Sequence, residues 1–386
     1  MGANSWCVHT AYNFFISKQP AWLLFYFTNM ITYLVSQCDI DTISNLIRER
    51  FNQNLPFVKQ KEQISGIFDS LNSLGAKSAL LELNYIDKDY IDDFSKYYLR
   101  CFGNEGHECA RLHFFSREIS HGLITEVLSE GVHHVEYKNI VESYCGFMVI
   151  KPLPKTFIGK TCIAVPKLEN EPVLLSKTYK VDLFGMALEV NSIPFQEQDK
   201  VVSACATTAI WTVLHSLPFT TPRDVPSCST ITANALASAE SSSNKFPNHE
   251  LSNEQILRAF DAQKLKHHTF SFKNASVNKI DLAFRVIASH INSQLPVFVG
   301  ADVFSLNSSG ADYLGGHAVC VVGYAVEKHF KGDLVKLYVH DDRLGPFVEM
   351  LLCNYQDGVE GGLFLKRAQQ KHGGDLREVL RVTDIV

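Results

Sequence analysis

Paired cysteines, basic runs, internal repeats and a full-length membrane segment are all missing from this sequence of 386 residues. The ten cysteines, at 7, 38, 101, 109, 145, 162, 205, 228, 320 and 353, form no C-x-x-C pair and keep no regular spacing. Several sit in apolar, strand-like runs where a thiol behaves as a small hydrophobe. The expectation is therefore a reduced, cytoplasmic chain rather than a disulfide framework. Lys and Arg number 36 against 41 Asp and Glu, giving a net charge of −5. No basic run exceeds a pair, so nucleic acid is not expected as a partner. The longest uncharged apolar stretch, 20–35 (PAWLLFYFTNMITYLV), falls short of the ~20 residues a spanning helix needs and contains Thr28, Asn29 and Thr32. What precedes it suits a signal peptide badly, and no membrane association is expected. The folded chain is expected to begin near Met30, with a strand at 31–35 and residues 1–29 as an extension.

What is present is enough apolar residue, 46% of the chain, for a sizeable core, and a length that suits two domains. In the first, 30–190, Asp41 precedes a helix with Ile43, Leu46, Ile47 and Phe51 at helical spacing. A helix over 61–73, a strand at 79–83, a helix at 121–129 capped by Ser120, and strands near 145–150 and 160–165 follow. The acids of 85–98 (YIDKDYIDDFSKYY) read as a solvated helix start matched to the macrodipole. Cys101, His107, Cys109 and His113 offer zinc-ligand types, but the spacing fits no usual knuckle and 111–115 reads as a strand, so no metal is expected. This half reads as a mixed α/β domain, supporting or partner-binding.

The second domain, 191–386, begins with helices: 204–217 without Gly or Pro, 253–264 with a Ser252/Gln255 capping box, and 279–293. Between the first two lies a Ser-rich loop, 237–250. Short β-rich segments follow at 296–300, 318–324 and 334–339, an α+β texture.

Three positions carry chemistry. Cys205 stands at the mouth of the 204–217 helix among small residues, where the helix N-terminus favours a thiolate. Among fifteen histidines, His317 follows two glycines and opens an apolar strand, a rigid platform for an imidazole. Asp341 and Asp342 end another strand, and one of them must orient that imidazole; Asp342, three residues before Gly345, is preferred. Cysteine, histidine and acid in this order form a thiol nucleophile with its base and orienter. An oxyanion needs donors: the Cys205 N–H is one, and Gln198 or Gln196 the other, with Gln198 preferred. Thr207, Thr208, Trp211 and His215 read as structural, and Cys320 and Cys353 as core.

These residues resemble the papain-like cysteine peptidases, in the broad sense that includes bacteriocin-processing and related bacterial peptidases. The resemblance covers about 195–350. It rests on Gln198 before Cys205, the helix that follows, LPVFVG at 295–300, Gly316-His317-Ala318-Val319 with Gly323-Tyr324, and Asp342-Arg343-Leu344-Gly345. Two positions depart: Gln198 stands seven residues before Cys205 where about six is commoner, and Ala206 replaces the usual aromatic or glycine. The resemblance implies a papain-like domain, a Cys-bearing helix then an antiparallel sheet, that cleaves a peptide or isopeptide bond of a peptide or protein substrate without metal or organic cofactor. Its rivals are acyl transfer to an amine, as in transglutaminases and arylamine acetyltransferases, and a catalytically silent protein-binding module. The first half resembles no named family.

Overall fold

A computed structural model describes residues 33–51, 58–103, 106–166, 171–222, 224–238, 246–272, 279–307, 310–328, 334–354, 359, 362–367 and 377–386. The expected extension 1–29 and residues 239–245 of the Ser-rich loop lie outside the described residues.

Strand β1 (Tyr33–Gln37) is followed by α1 (Ile40–Phe51). The carboxylate that caps α1 is Asp39, accepting from Thr42 N at 2.8 Å, so the helix begins earlier than Asp41 suggests. Next come α2 (Glu62–Ser73), β2 (Ser78–Tyr85), α3 (Lys88–Lys96), β3 (Cys109–Phe115), α4 (His121–Glu130), α5 (Tyr137–Glu142), β4 (Tyr144–Ile150) and β5 (Ile158–Ile163). The strands form an antiparallel sheet in the order β1-β2-β3-β4-β5. β3 and β4 are buried along their whole length, which requires cover on both faces. Ile43 and Ile47 of α1 with Ile64, Ile67 and Leu71 of α2 belong to the core cluster on one face. Tyr90, Phe94, Ile124, Val127 and Ile140 from α3 to α5 belong to the cluster on the other.

After β6 (Val173–Leu174), the hairpin β7 (Lys177–Leu183) and β8 (Met186–Ser192) alternates buried and exposed residues. This period of two lays Tyr179, Val181, Leu188 and Val190 onto the second cluster and the intervening polar residues toward water.

The later half contains α6 (Cys205–Ser216), α7 (Cys228–Ala235), α8 (Asn253–Ala262), β9 (Phe270–Ser271), α9 (Ile280–Asn292), β10 (Val297–Asn307), β11 (Gly310–Glu327), β12 (Leu334–Asp341), β13 (Gly345–Cys353), β14 (Phe364–Arg367) and β15 (Arg377–Ile385). The expected capping box on α8 is present. Strands β10 to β15 pair antiparallel in sequence order, and β10 also pairs with β15, closing a six-stranded ring; β6 adds to β11 and β9 to β15. The expected strands at 318–324 and 334–339 fall within β11 and β12, and that at 296–300 overlaps β10, which starts at Val297. β13, β14 and β15 lie beyond the strands read from sequence, and the closure depends on them. The chain is α+β, with antiparallel sheets.

The two halves interlock. β6 already lies on β11 (Leu174 opposite Gly323) before the chain returns to the first half for the β7–β8 hairpin. Chain crossing therefore begins ahead of the 190/191 boundary drawn from sequence. Gly323 permits this contact, since a Cβ there would stand 2.2 Å from Leu174 Cδ2 and 2.6 Å from Val173 O. At the other face, Gln63 Nε2 of α2 donates to the Asp342 carbonyl at 2.9 Å. Among the described residues no helix is long and apolar enough to cross a membrane.

Candidate active site

Helix α6 is almost wholly interior: every residue from Ala206 to Ser216 is buried, and Cys205 at its first position keeps partial exposure. Ala204, the N-cap, is extended and makes no side-chain cap. The first-turn N–H groups have no partners within the helix and present positive potential at the helix mouth where Cys205 stands.

His317 lies in β11 opposite Ala301 of β10. The residue is 6% exposed, and the Cys205 side chain is among the groups that act on its ring. Nε2 lies 3.0 Å from Asp341 Oδ1. Burial works against a charged ring, but the Asp341 carboxylate, the Cys205 side chain and Asp342 together lift His317 to about 10. Asp341, fully buried, is penalised by the same burial yet held well below the usual carboxylate range by His317 and Arg343. Its Oδ1 also accepts the Arg343 backbone N–H at 2.9 Å. Arg343 Nε stands 3.2 Å from His317 Nε2 and 3.5 Å from Asp341 Oδ1. A guanidinium offers donors alone, so the Nε2 proton belongs to Asp341, and Arg343 shares that carboxylate.

Asp342, the acid preferred from sequence, sits 3.9 Å from His317 Nε2. The acid in hydrogen-bond contact with the ring is Asp341. The strand ends at Asp341 and a turn follows, closed by Leu344 N donating to Asp341 O at 3.0 Å; this turn brings both carboxylates to one side of the ring. Among the described residues the Asp342 carboxyl oxygens find no hydrogen-bond partner, and the side chain lines a small space with Phe195, Thr208, Thr212 and His340. Burial pushes Asp342 up to about 6, with repulsion from Asp341 adding to it.

Together His317, Asp341 and Asp342 offer three ligand-type atoms within 4.8 Å of one another. A cation would have to compete with the Arg343 guanidinium already on Asp341 and would take the nitrogen that orients the base. The donor set fits an acid-oriented imidazole better.

Of the oxyanion candidates, Gln196 is buried and its Nε2 donates to Cys228 Sγ of α7 at 2.9 Å. Gln198 is half-buried in the extended segment ahead of Cys205. The intervening loop is organised by Asp199, which lies outside the set of residues expected from sequence. Its Oδ1 accepts the N–H groups of Val201, Val202 and Ser203, each at 2.9 Å, and the Ser203 hydroxyl at 3.1 Å. Lys200 takes a left-handed conformation, φ +59°, to allow this. The signal that could have found it is an acid shortly before a helix whose own N-cap is alanine.

The remaining candidates are structural. Trp211 and His215 pack edge to face at 4.2 Å, and burial holds His215 well below its ordinary value, a neutral ring. Thr207 bonds Thr232 and Thr208 bonds Ala204 O. His113 lies between Tyr144 Oη (3.0 Å) and Glu82 (3.2 Å) inside the first sheet, and the cysteine–histidine set does not gather as a metal cluster among the described residues. The acids at 85–98 are not a solvated helix start: Asp87 and Asp89 are buried, with Lys160 Nζ 2.8 Å from Asp89, and Asp92 and Asp93 reach across to the second half.

No family model matches this chain, and no curated protein matches it.

Proposed function

We propose that the chain is a cysteine-type hydrolase that cleaves a peptide or isopeptide bond through an acyl-enzyme, using a papain-like arrangement of its second half. What supports this reading is Cys205 at the first position of α6, its side chain among the groups that raise the His317 ring, and Asp341 3.0 Å from that ring. The Cys205 thiolate attacks the carbonyl carbon, forming the C–S bond. The oxyanion is held by the Cys205 N–H and, in this reading, by the Gln198 amide. Collapse breaks the C–N bond while His317 gives its proton to the leaving amine. Water then attacks the thioester, His317 takes its proton, and the carboxylate product leaves the thiolate restored. Asp341 keeps the ring protonated and aimed, and does not itself take the proton. Gly315 and Gly316, next to His317, have open space where a side chain would stand, which leaves room for a substrate backbone to lie along β11. A thiol of this kind suits a reducing compartment, and the substrate class is a peptide or protein.

The test is hydrolysis of a peptide mixture by the intact chain and by Cys205→Ala, with cleavage read by mass spectrometry. Hydrolysis by the parent that is lost in the variant is expected. Cleavage that persists in Cys205→Ala sinks the assignment.

A further inference from the structure

Polar groups of the first half are committed to the loop and helix that flank Cys205. On α3, the Asp93 carboxylate accepts Ser229 N at 2.9 Å, and Asp92 accepts the Ser227 and Thr230 hydroxyls at the start of α7. Lys88 Nζ donates to Val225 O at 2.7 Å. α7 in turn holds the approach to the nucleophile, since Thr232 Oγ1 donates to Val202 O at 2.8 Å and Cys228 takes the Gln196 amide. Just after α3, the Tyr98 hydroxyl donates to Asp199 Oδ2 at 2.7 Å. Asp199 therefore uses one oxygen to gather the backbone of 201–203 and the other to receive a tyrosine from the first half.

We propose that Asp199 is a positioning residue for the oxyanion donors, held in place by Tyr98, so that the first half supports catalysis through this pair. The inference rests on the proposed thiol acyl transfer and deepens it. The two donors of that reading, Gln198 and the Cys205 N–H, bracket the loop that Asp199 ties. Releasing the tie leaves the thiol on its helix but frees the spacing between the donors. Misplacement by ~1 Å is enough to cost up to ~10²-fold in a reaction that depends on geometry. Attack on a carbonyl needs that spacing, whereas displacement of iodide from iodoacetamide develops no oxyanion and needs only the thiolate.

The experiment compares acylation of Cys205 by p-nitrophenyl acetate with its alkylation by iodoacetamide in the intact chain, with Cys205→Ala as the background. Asp199→Ala is expected to slow acylation about tenfold or more while alkylation stays within about twofold. Tyr98→Phe is expected to slow acylation by a smaller factor and to add nothing in the Asp199→Ala background, as members of one network do. Should Asp199→Ala not fold, Tyr98→Phe, which removes one hydroxyl, gives the same comparison. Acylation unchanged, or acylation and alkylation falling in parallel, overturns the positioning role alone. A parent whose Cys205 is not acylated above background overturns the acyl-transfer reading as well.

Discussion

Replacing the Asp341 carboxylate with an amide keeps its shape and removes the charge 3.0 Å from His317 Nε2. Burial disfavours the imidazolium, yet the ring is held protonated to about 10 against an ordinary 6.5, with Asp341 the largest contributor in that direction. At about 1.36 kcal/mol for each tenfold step, the difference is roughly 5 kcal/mol in favour of the charged ring. In Asp341→Asn the burial penalty goes unopposed by that carboxylate. The alkaline limit of peptide hydrolysis, set by loss of the imidazolium that protonates the leaving amine, is expected to fall by about two pH units or more. Asp342→Asn removes a carboxylate 3.9 Å away and is expected to move the limit by less than about one unit. Peptide hydrolysis, followed by mass spectrometry from about pH 5 to about pH 11, reads both, because expulsion of the amine consumes the imidazolium proton. An Asp342→Asn variant that moves the limit as far as Asp341→Asn refutes the assignment of Asp341 as orienter. The same ring stabilises the fold fully below pH 6.5, and that contribution is lost as pH rises through about 10.

Asp342 gives a second prediction. Its proton leaves the unfolded chain near 3.8 and the folded chain near about 6, so stability associated with the neutral acid is present below 3.8 and lost as pH rises through about 6. Asp342→Asn is expected to exceed the parent in stability at about pH 8 by on the order of 2–3 kcal/mol, with no gain near about pH 4. Urea unfolding at the two pH values checks this, and an equal gain at both counts against a titrating Asp342. Gly323→Ala places a methyl 2.2 Å from Leu174 Cδ2 and 2.6 Å from Val173 O. It should lower stability by about 1–3 kcal/mol as β6 is pushed off β11; an unchanged Tm would show that the β6 contact yields freely.

Features with local causes are legible in the sequence itself. Ser120 and the Ser252/Gln255 box announce their helices because a cap involves neighbours in sequence. Cys205 and His317 are legible for a similar reason: a helix mouth and a Gly-Gly-His opening of a strand are written in adjacent residues. Asp341 against Asp342 is harder, since the choice depends on where β12 stops and how its turn closes, and a one-residue change exchanges faces. The acids of α3 mislead because a carboxylate that caps a helix more than a hundred residues away looks, in sequence, like one facing water. Asp199 is hidden for the same reason on its tyrosine side. β13 to β15 escape because their pairing is fixed by barrel closure, a condition with no short-range signature.

That closure ties the surroundings of His317 to a distant part of the chain. β15 seals against β10, the neighbour of the strand that carries His317. On the ribosome, Cys205, His317 and Asp341 are all translated before residues 377–385, and until those emerge β10 keeps an open edge. The contact joins strands far apart in sequence, Val299 opposite Ile385 for instance, and such non-local pairings form slowly. β10, the neighbour of the strand that carries His317, is thus flanked on both sides only once β15 is in place, so the sheet around that histidine is completed by a contact distant in sequence.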